Sequence, residues 1–201
     1  MSAAGVMSEQ ARMWSAEFGA AYTARNRADW RARIPFWRDV LDRTGARSVY
    51  EVGCNAGWNL SAIRRASPDV ALHGVEVNGR AYRQARAAGI VGLHNAPALE
   101  ILRFYESEFD LVFTAGVLIH VAPAEIEATM RAIVNASADY VLAVEYAADK
   151  EEEVLYRGQS GMLWRRNYGQ LYQDMGVQLV QQWDAGAGFD RCSATLLRKP
   201  T

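Results

Sequence analysis

The chain has 201 residues, 50 % of them apolar and 22 % charged, a balance that suits one globular domain with a sizeable core. Its net charge of -1 supplies no basic face for nucleic acid. Two cysteines, Cys54 and Cys192, with no Cys/His cluster at ligand spacing, argue against a structural metal. No stretch, the N-terminal M-S-A-A-G-V-M included, reaches the roughly 18 apolar residues of a membrane span, so a soluble cytoplasmic protein is expected.

In chain order, Trp14, Phe18 and Tyr22 recur every fourth position and predict one helix over 8–25, Trp14 and Phe18 reading as packing, with Tyr22, Arg25 and Asn26 ending the helix in polar groups. A second helix is expected over 29–43, with Pro35 kinking it or moving its start and Gly45 ending it. An apolar strand over 48–52 then runs into Gly53 and, four residues on, Gly57, before a helix over 59–66. Gly53 supplies a positive φ, and Gly57 is expected to let a ligand lie on the backbone. The spacing E-x-G-x-x-x-G is not the G-x-G-x-x-G of a dinucleotide loop. A strand over 71–77 ends on Glu76, about twenty residues past the glycines, where a carboxylate can accept both hydroxyls of a ribose. Together these predict a nucleoside-containing cofactor. Cys54, inside the loop, reads as a small residue filling a tight turn.

Asn78 is placed to cap a helix running to 89. A strand over 91–94, a helix over 97–105, a strand over 109–114, a helix over 123–135 and a strand over 140–145 follow. Five alternations imply a parallel sheet covered on both faces. A polar, arginine-bearing stretch and a short helix ending near Gly176 lead to strands over 177–183 and 192–198, joined as a hairpin by D-A-G-A-G-F-D-R.

E-V-G-C-N-A-G followed by G-V-E-V-N resembles the class I S-adenosylmethionine-dependent methyltransferases. W-S-A-E-F-G-A-A-Y-T-A-R-N (14–26), F-D-L-V-F-T-A-G-V-L-I-H-V (109–121), V-E-Y (144–146) and Y-R-G (156–158) resemble the pseudaminic acid biosynthesis-associated methylases. The resemblance implies a single-domain α/β Rossmann-like fold. Its mostly parallel seven-stranded sheet would have a terminal antiparallel hairpin, helices on both faces and an N-terminal helical extension. The chain would divide into N-terminal helices (1–45), a cofactor core (46–145), a substrate lid with its helix (146–176) and the hairpin (177–201). The implied cofactor is S-adenosylmethionine, yielding S-adenosylhomocysteine, with no metal. The cofactor set is Tyr22, Arg25, Asn26, Glu51, Gly53, Cys54, Asn55, Gly57, Asn59, Glu76, Val77, Asn95, Ala96, Thr114 and Ala115. Within it Arg25 would meet the methionine carboxylate. Asn95 would meet the adenine edge or merely cap the next helix.

Methyl transfer from a sulfonium is an in-line displacement, so holding donor and acceptor in alignment is the main task. A base helps only where the acceptor must lose a proton. His120 is the candidate, as a base or as a group that orients its loop. Glu145 and Tyr146, at a strand end, are expected at the same cleft, Glu145 orienting the acceptor or pairing with a lid arginine. Tyr156, Arg157, Arg165 and Arg166 suggest a clamp for a small anionic acceptor such as a sugar acid or phosphorylated sugar; a solvated face is the alternative for Arg165 and Arg166. Three other functions compete. A non-catalytic cofactor-binding module would keep the same glycines and Glu76. A nucleic-acid methyltransferase is opposed by the charge and by the lack of an Asn/Asp-Pro-Pro-aromatic turn after the fourth strand. A nicotinamide oxidoreductase is opposed by the glycine spacing and the terminal hairpin. Nothing in the sequence sets the oligomeric state.

Overall fold

The computed structural model describes residues 7–26 and 29–200. A helical extension opens the chain as α1 (Glu9–Ser15) and α2 (Glu17–Arg25), followed by a 3₁₀ turn (Trp30–Arg33) that leads into α3 (Ile34–Thr44). The single helix expected over 8–25 is therefore broken, with Ala16 in extended backbone at φ -93°, ψ -158°. The Asn78 amide holds the break by donating to the carbonyls of Trp14 and Ala16 on either side of it, both at 3.0 Å. Gly19 lets α2 approach so closely that a Cβ there would lie 2.0 Å from the Trp14 carbonyl oxygen. Pro35 falls in the first turn of α3, where its missing N–H is no loss.

Then come β1 (Ser48–Val52), α4 (Trp58–Ala66), β2 (Ala71–Val75), α5 (Gly79–Ala87), β3 (Gly92–His94), α6 (Ala98–Leu102), β4 (Phe109–Ala115), a 3₁₀ turn (Leu118–His120), α7 (Pro123–Ala136) and β5 (Ser137–Glu145). A two-stranded ribbon, β6 (Glu152–Glu153) with β7 (Trp164–Arg165), precedes α8 (Tyr168–Asp174) and the hairpin β8 (Gln178–Asp184), β9 (Ser193–Arg198). The main sheet has the order β3-β2-β1-β4-β5-β9-β8, parallel through β5 and antiparallel at β9 and β8, which is the doubly wound sheet with terminal hairpin expected.

Both faces of the central strands are buried, which is why β1 and β4 read as nearly continuous apolar runs. On one face Trp37 from α3 and Leu60 and Ile63 from α4 pack with Val49 and Phe113; on the other Met130 and Ile133 from α7 pack with Tyr50 and Val112. The chain leaves β1 through β2 to the edge strand β3, then returns across β1 to β4 and β5. At such a reversal the flanking connections diverge and open a crevice beyond the carboxyl ends of the strands, here β1 and β4. Among the described residues no helix is long and apolar enough to cross a membrane.

Candidate active site

A cavity of about 400 Å³ lies at this crevice. Gly53, Cys54 and Asn55 line it from the turn after β1, Glu76 and Val77 from the end of β2, Ala96 from the turn after β3, and Ala115, Val117 and His120 from the end of β4 and beyond. Trp14 and Tyr22 line it from the N-terminal helices. Gly53 has φ +70°, and a Cβ there would come within 2.7 Å of Val117 Cγ2, so the turn requires glycine. Gly57 also has positive φ, but a Cβ there would meet the Ala85 Cβ at 3.1 Å. Its expected role under a ligand is thus corrected: Gly57 lets α4 pack against α5 and lies off the cavity wall.

Glu76 is buried, and its carboxylate accepts from the backbone N–H of Asn55 (Oε2, 2.7 Å) and of Asn78 (Oε1, 2.7 Å). These bonds fix both oxygens at the cavity wall and leave each with a lone pair. Burial raises the pKa of Glu76, and the backbone donors pull it back. Deeper in, Glu51 Oε1 accepts from the Asn59 amide at 2.7 Å, while Asn59 Oδ1 accepts from Arg33 Nη1 at 2.8 Å and Trp37 Nε1 at 3.3 Å. Glu51 Oε2 is buried without a partner. Burial pushes Glu51 up to about 8 against the opposing effects of Asn59 and Arg33.

Arg33 was not singled out by the sequence, and it corrects the expectation for Arg25. The last turn of α2 leaves Arg25 exposed and off the cavity; Asn26, half-buried, is off the cavity too, and its N–H closes the helix on the Tyr22 carbonyl. Arg33 lines the cavity instead, its Nε donating to the Gly188 carbonyl at 2.9 Å and its guanidinium lying over the Phe189 ring. Trp14, read as packing, also lines the cavity, with its Nε1 buried and unpartnered. Asn55 Oδ1 accepts from Thr23 Oγ1 at 2.8 Å, tying α2 to the glycine turn. Burial pushes the Cys54 thiol well up, so it is an inert filler.

His120 is buried with Nδ1 2.7 Å from the Met162 carbonyl. A carbonyl only accepts, so Nδ1 carries the hydrogen and Nε2 is the bare nitrogen. Burial lowers the imidazole to about 4, which keeps it neutral near pH 7. The Trp14 and Tyr156 rings stand 4.5 and 5.2 Å from it. Glu145 lies behind this loop: Oε1 accepts from the N–H groups of Val117 and Leu118 at 3.0 Å and Oε2 from Ile119 at 3.4 Å. Burial pushes it up to about 7, with those donors opposing. Neither expected role of Glu145 survives, since three loop amides occupy it and it meets neither the cavity nor a lid arginine.

The remaining expected residues fall off the cavity wall. The Asn95 amide donates to the carbonyls of Glu76 (2.7 Å) and Val77 (3.2 Å); it clasps the β2 and β3 ends and neither caps α6 nor lines the cavity. Thr114 is fully buried in β4 beside Ala115, and Tyr146 turns its hydroxyl to Asp190. Arg165 pairs with Glu152 at 2.9 Å, and Arg166, 1 % exposed, pairs with Glu151 at 2.5 Å. The expected cationic clamp thus loses both to internal carboxylates. Arg157 is exposed, 5.8 Å over the Tyr156 ring. Among the described residues no group of His, Cys, Asp and Glu is placed to hold a metal ion.

Residues 49–139 match the family model of a methyltransferase domain. That match runs from β1 into β5, somewhat under half the chain. No curated protein matches the chain. Among solved structures it is similar to the 1,6-didemethyltoxoflavin-N1-methyltransferase of Burkholderia thailandensis, solved with 1,6-didemethyltoxoflavin and S-adenosylhomocysteine. The identity is 16 %, over 100 % of this chain and 93 % of that one, with a TM-score of 0.77. A sugar N-methyltransferase from Streptoalloteichus is 15 % identical over 100 % of this chain and 98 % of that one, TM-score 0.70. Human N-acetylserotonin methyltransferase, in complex with S-adenosylmethionine, is 16 % identical over 98 % of this chain and 61 % of that one, TM-score 0.71. At these identities the likeness establishes the fold, the Rossmann-like methyltransferase arrangement.

Proposed function

We propose that the chain transfers a methyl group from S-adenosylmethionine to an oxygen or nitrogen of a small-molecule acceptor. The observation that carries this is one cavity holding a fixed carboxylate, Glu76, an orphaned buried carboxylate oxygen on Glu51, and a guanidinium, Arg33. A ribose diol, an ammonium and a carboxylate satisfy these three in turn, and all three belong to that cofactor. The cofactor supplies an electrophilic methyl group on sulfur. The chain's own residues bind and orient: Glu76 accepts the diol, Glu51 takes the ammonium and Arg33 the carboxylate. Trp14 and Tyr22 shield the cavity from water, and His120 accepts a hydrogen bond through Nε2 from the acceptor's O–H or N–H. The small-molecule acceptor is supported by the structural neighbours, whose names specify toxoflavin precursors, a sugar and N-acetylserotonin.

Titration calorimetry tests the cofactor. The protein is expected to bind S-adenosylmethionine and S-adenosylhomocysteine and not NAD; the reverse preference discards the reading. Because burial holds Glu51 near 8 in the free protein even with Arg33 opposing, an entering ammonium favours its ionised form, and binding near pH 7 releases a proton. Affinity therefore rises with pH up to about 8, by at most about tenfold per unit, and the release vanishes in Glu51→Gln. A flat pH dependence in the wild type would remove Glu51 from the site. Turnover is read by incubating methyl-labelled donor with a fractionated metabolite extract; cofactor binding with no labelled product would leave a non-catalytic module. The anionic character of the acceptor now rests on Arg157, the lid arginine without an ion-pair partner among the described residues. Arg157→Ala is expected to raise the acceptor KM about two- to fivefold with kcat held, the loss of one exposed charge contact. An unchanged KM discards the anion.

A further inference from the structure

The 3₁₀ turn that carries His120 spans three residues, too few to hold itself by backbone bonds alone. Two buried polar side chains from different parts of the chain complete it. Glu145 takes the N–H groups at its start. At its end Arg166 Nη1 donates to the Leu118 carbonyl at 3.1 Å and Nη2 to the Val121 carbonyl at 3.0 Å, so the guanidinium fork brackets His120 along the chain. Its Nε donates to Glu151 at 2.5 Å, and that carboxylate is half-exposed. The Ala148 N–H in turn donates to the Arg166 carbonyl at 3.1 Å, which fixes the arginine's backbone to the strand leaving β5. The same segment supplies the Met162 carbonyl that takes the Nδ1 hydrogen.

We propose that Arg166 is a positioning residue, and that the segment expected to be a substrate lid is a strap whose guanidinium and Met162 carbonyl hold the His120 imidazole in one tautomer with Nε2 left for the cleft. This rests on the reading of His120 as the group that meets the acceptor. The fork needs arginine: a lysine ammonium carries the charge but cannot span two carbonyls and a carboxylate in one plane. Without the fork, the Val121 carbonyl loses its donor, the Leu118 carbonyl keeps only the Val121 N–H, and the turn is free to shift, which takes the ring off Met162.

Histidine-labelled ¹⁵N spectra test this directly, because the chain has only 3 histidines and His120→Gln assigns the signal. The wild type is expected to show His120 as a single Nδ1–H tautomer. Arg166→Ala is expected to lose that pattern, its ¹⁵N shifts moving toward the Nε2–H form, and Arg166→Lys to recover it in part. A fold-stabilising role alone would lower the melting temperature and leave the tautomer of the folded fraction untouched. S-adenosylhomocysteine binding, measured on the same samples, keeps two failures apart. An unchanged His120 pattern in folded, binding-competent Arg166→Ala overturns the proposal; a wild type that does not bind the probe overturns the reading of the cleft instead. If Arg166→Ala does not fold, Glu151→Ala, which strips the guanidinium of its carboxylate from a half-exposed position, is expected to move the pattern the same way, and an unmoved pattern there overturns the proposal.

Discussion

Replacing Glu76 with alanine is expected to weaken S-adenosylmethionine binding by about 100- to 10,000-fold. Two hydroxyl-to-carboxylate bonds at roughly 1.5–3 kcal/mol each are lost, and every 1.4 kcal/mol is about tenfold in affinity. The effect is large because the carboxylate is preorganised: the Asn55 and Asn78 amides hold both oxygens at 2.7 Å before any ligand arrives. Glutamine is no substitute, because its NH₂ would face one of those two N–H donors. Calorimetry on Glu76→Ala, with circular dichroism to establish folding, reads the loss. Wild-type affinity in a folded variant would mean that the ribose does not sit there.

The second large effect is on stability. Glu145→Ala leaves three N–H groups of Val117, Leu118 and Ile119 without acceptors, two of these residues being fully or almost fully buried. Each unpaired buried donor costs about 1–3 kcal/mol, offset in part by relief of the carboxylate's own desolvation, so a net loss of about 3 kcal/mol is expected. For a domain of this size that lowers Tm by roughly 6–12 °C. The pH dependence has a definite sign. The folded-state pKa of Glu145, about 7, lies above the ordinary 4.5, so the folded form holds the extra proton and this group's contribution falls as pH rises from 4.5 through 7. The stability gap between wild type and Glu145→Ala should therefore narrow over that range. A gap that widens would mean that the three N–H donors outweigh burial and hold Glu145 ionised.

Much of this was legible in the residues. β1 and β4 announce themselves because both faces of a central strand are buried, and Gly53 and Glu76 because a turn with positive φ and a strand-end carboxylate are local features. What failed depended on how distant segments meet. Arg25 and Arg33 look equivalent along the chain; only the break at Ala16 and the short turn before α3 turn one outward and the other into the cavity. That break has a faint sequence trace in Gly19, but its cause is the amide of Asn78, more than sixty residues away. Arg165 and Arg166 suggested a clamp because their partners, Glu152 and Glu151, come from the acidic run that the sequence shows only as a charged patch. Asn95 was assigned to adenine or a cap, and instead it is spent on the carbonyls of Glu76 and Val77, a pairing set by the parallel register of β2 and β3.

A crystal grown with S-adenosylhomocysteine puts the whole account at risk in one map. Density for the nucleoside along the Gly53 turn, its two sugar oxygens on Glu76 and its amino-acid end between Glu51 and Arg33, is the predicted result. Density lodged elsewhere, or sugar oxygens turned to solvent with Arg33 still bound only to Asn59 and Gly188, would contradict it.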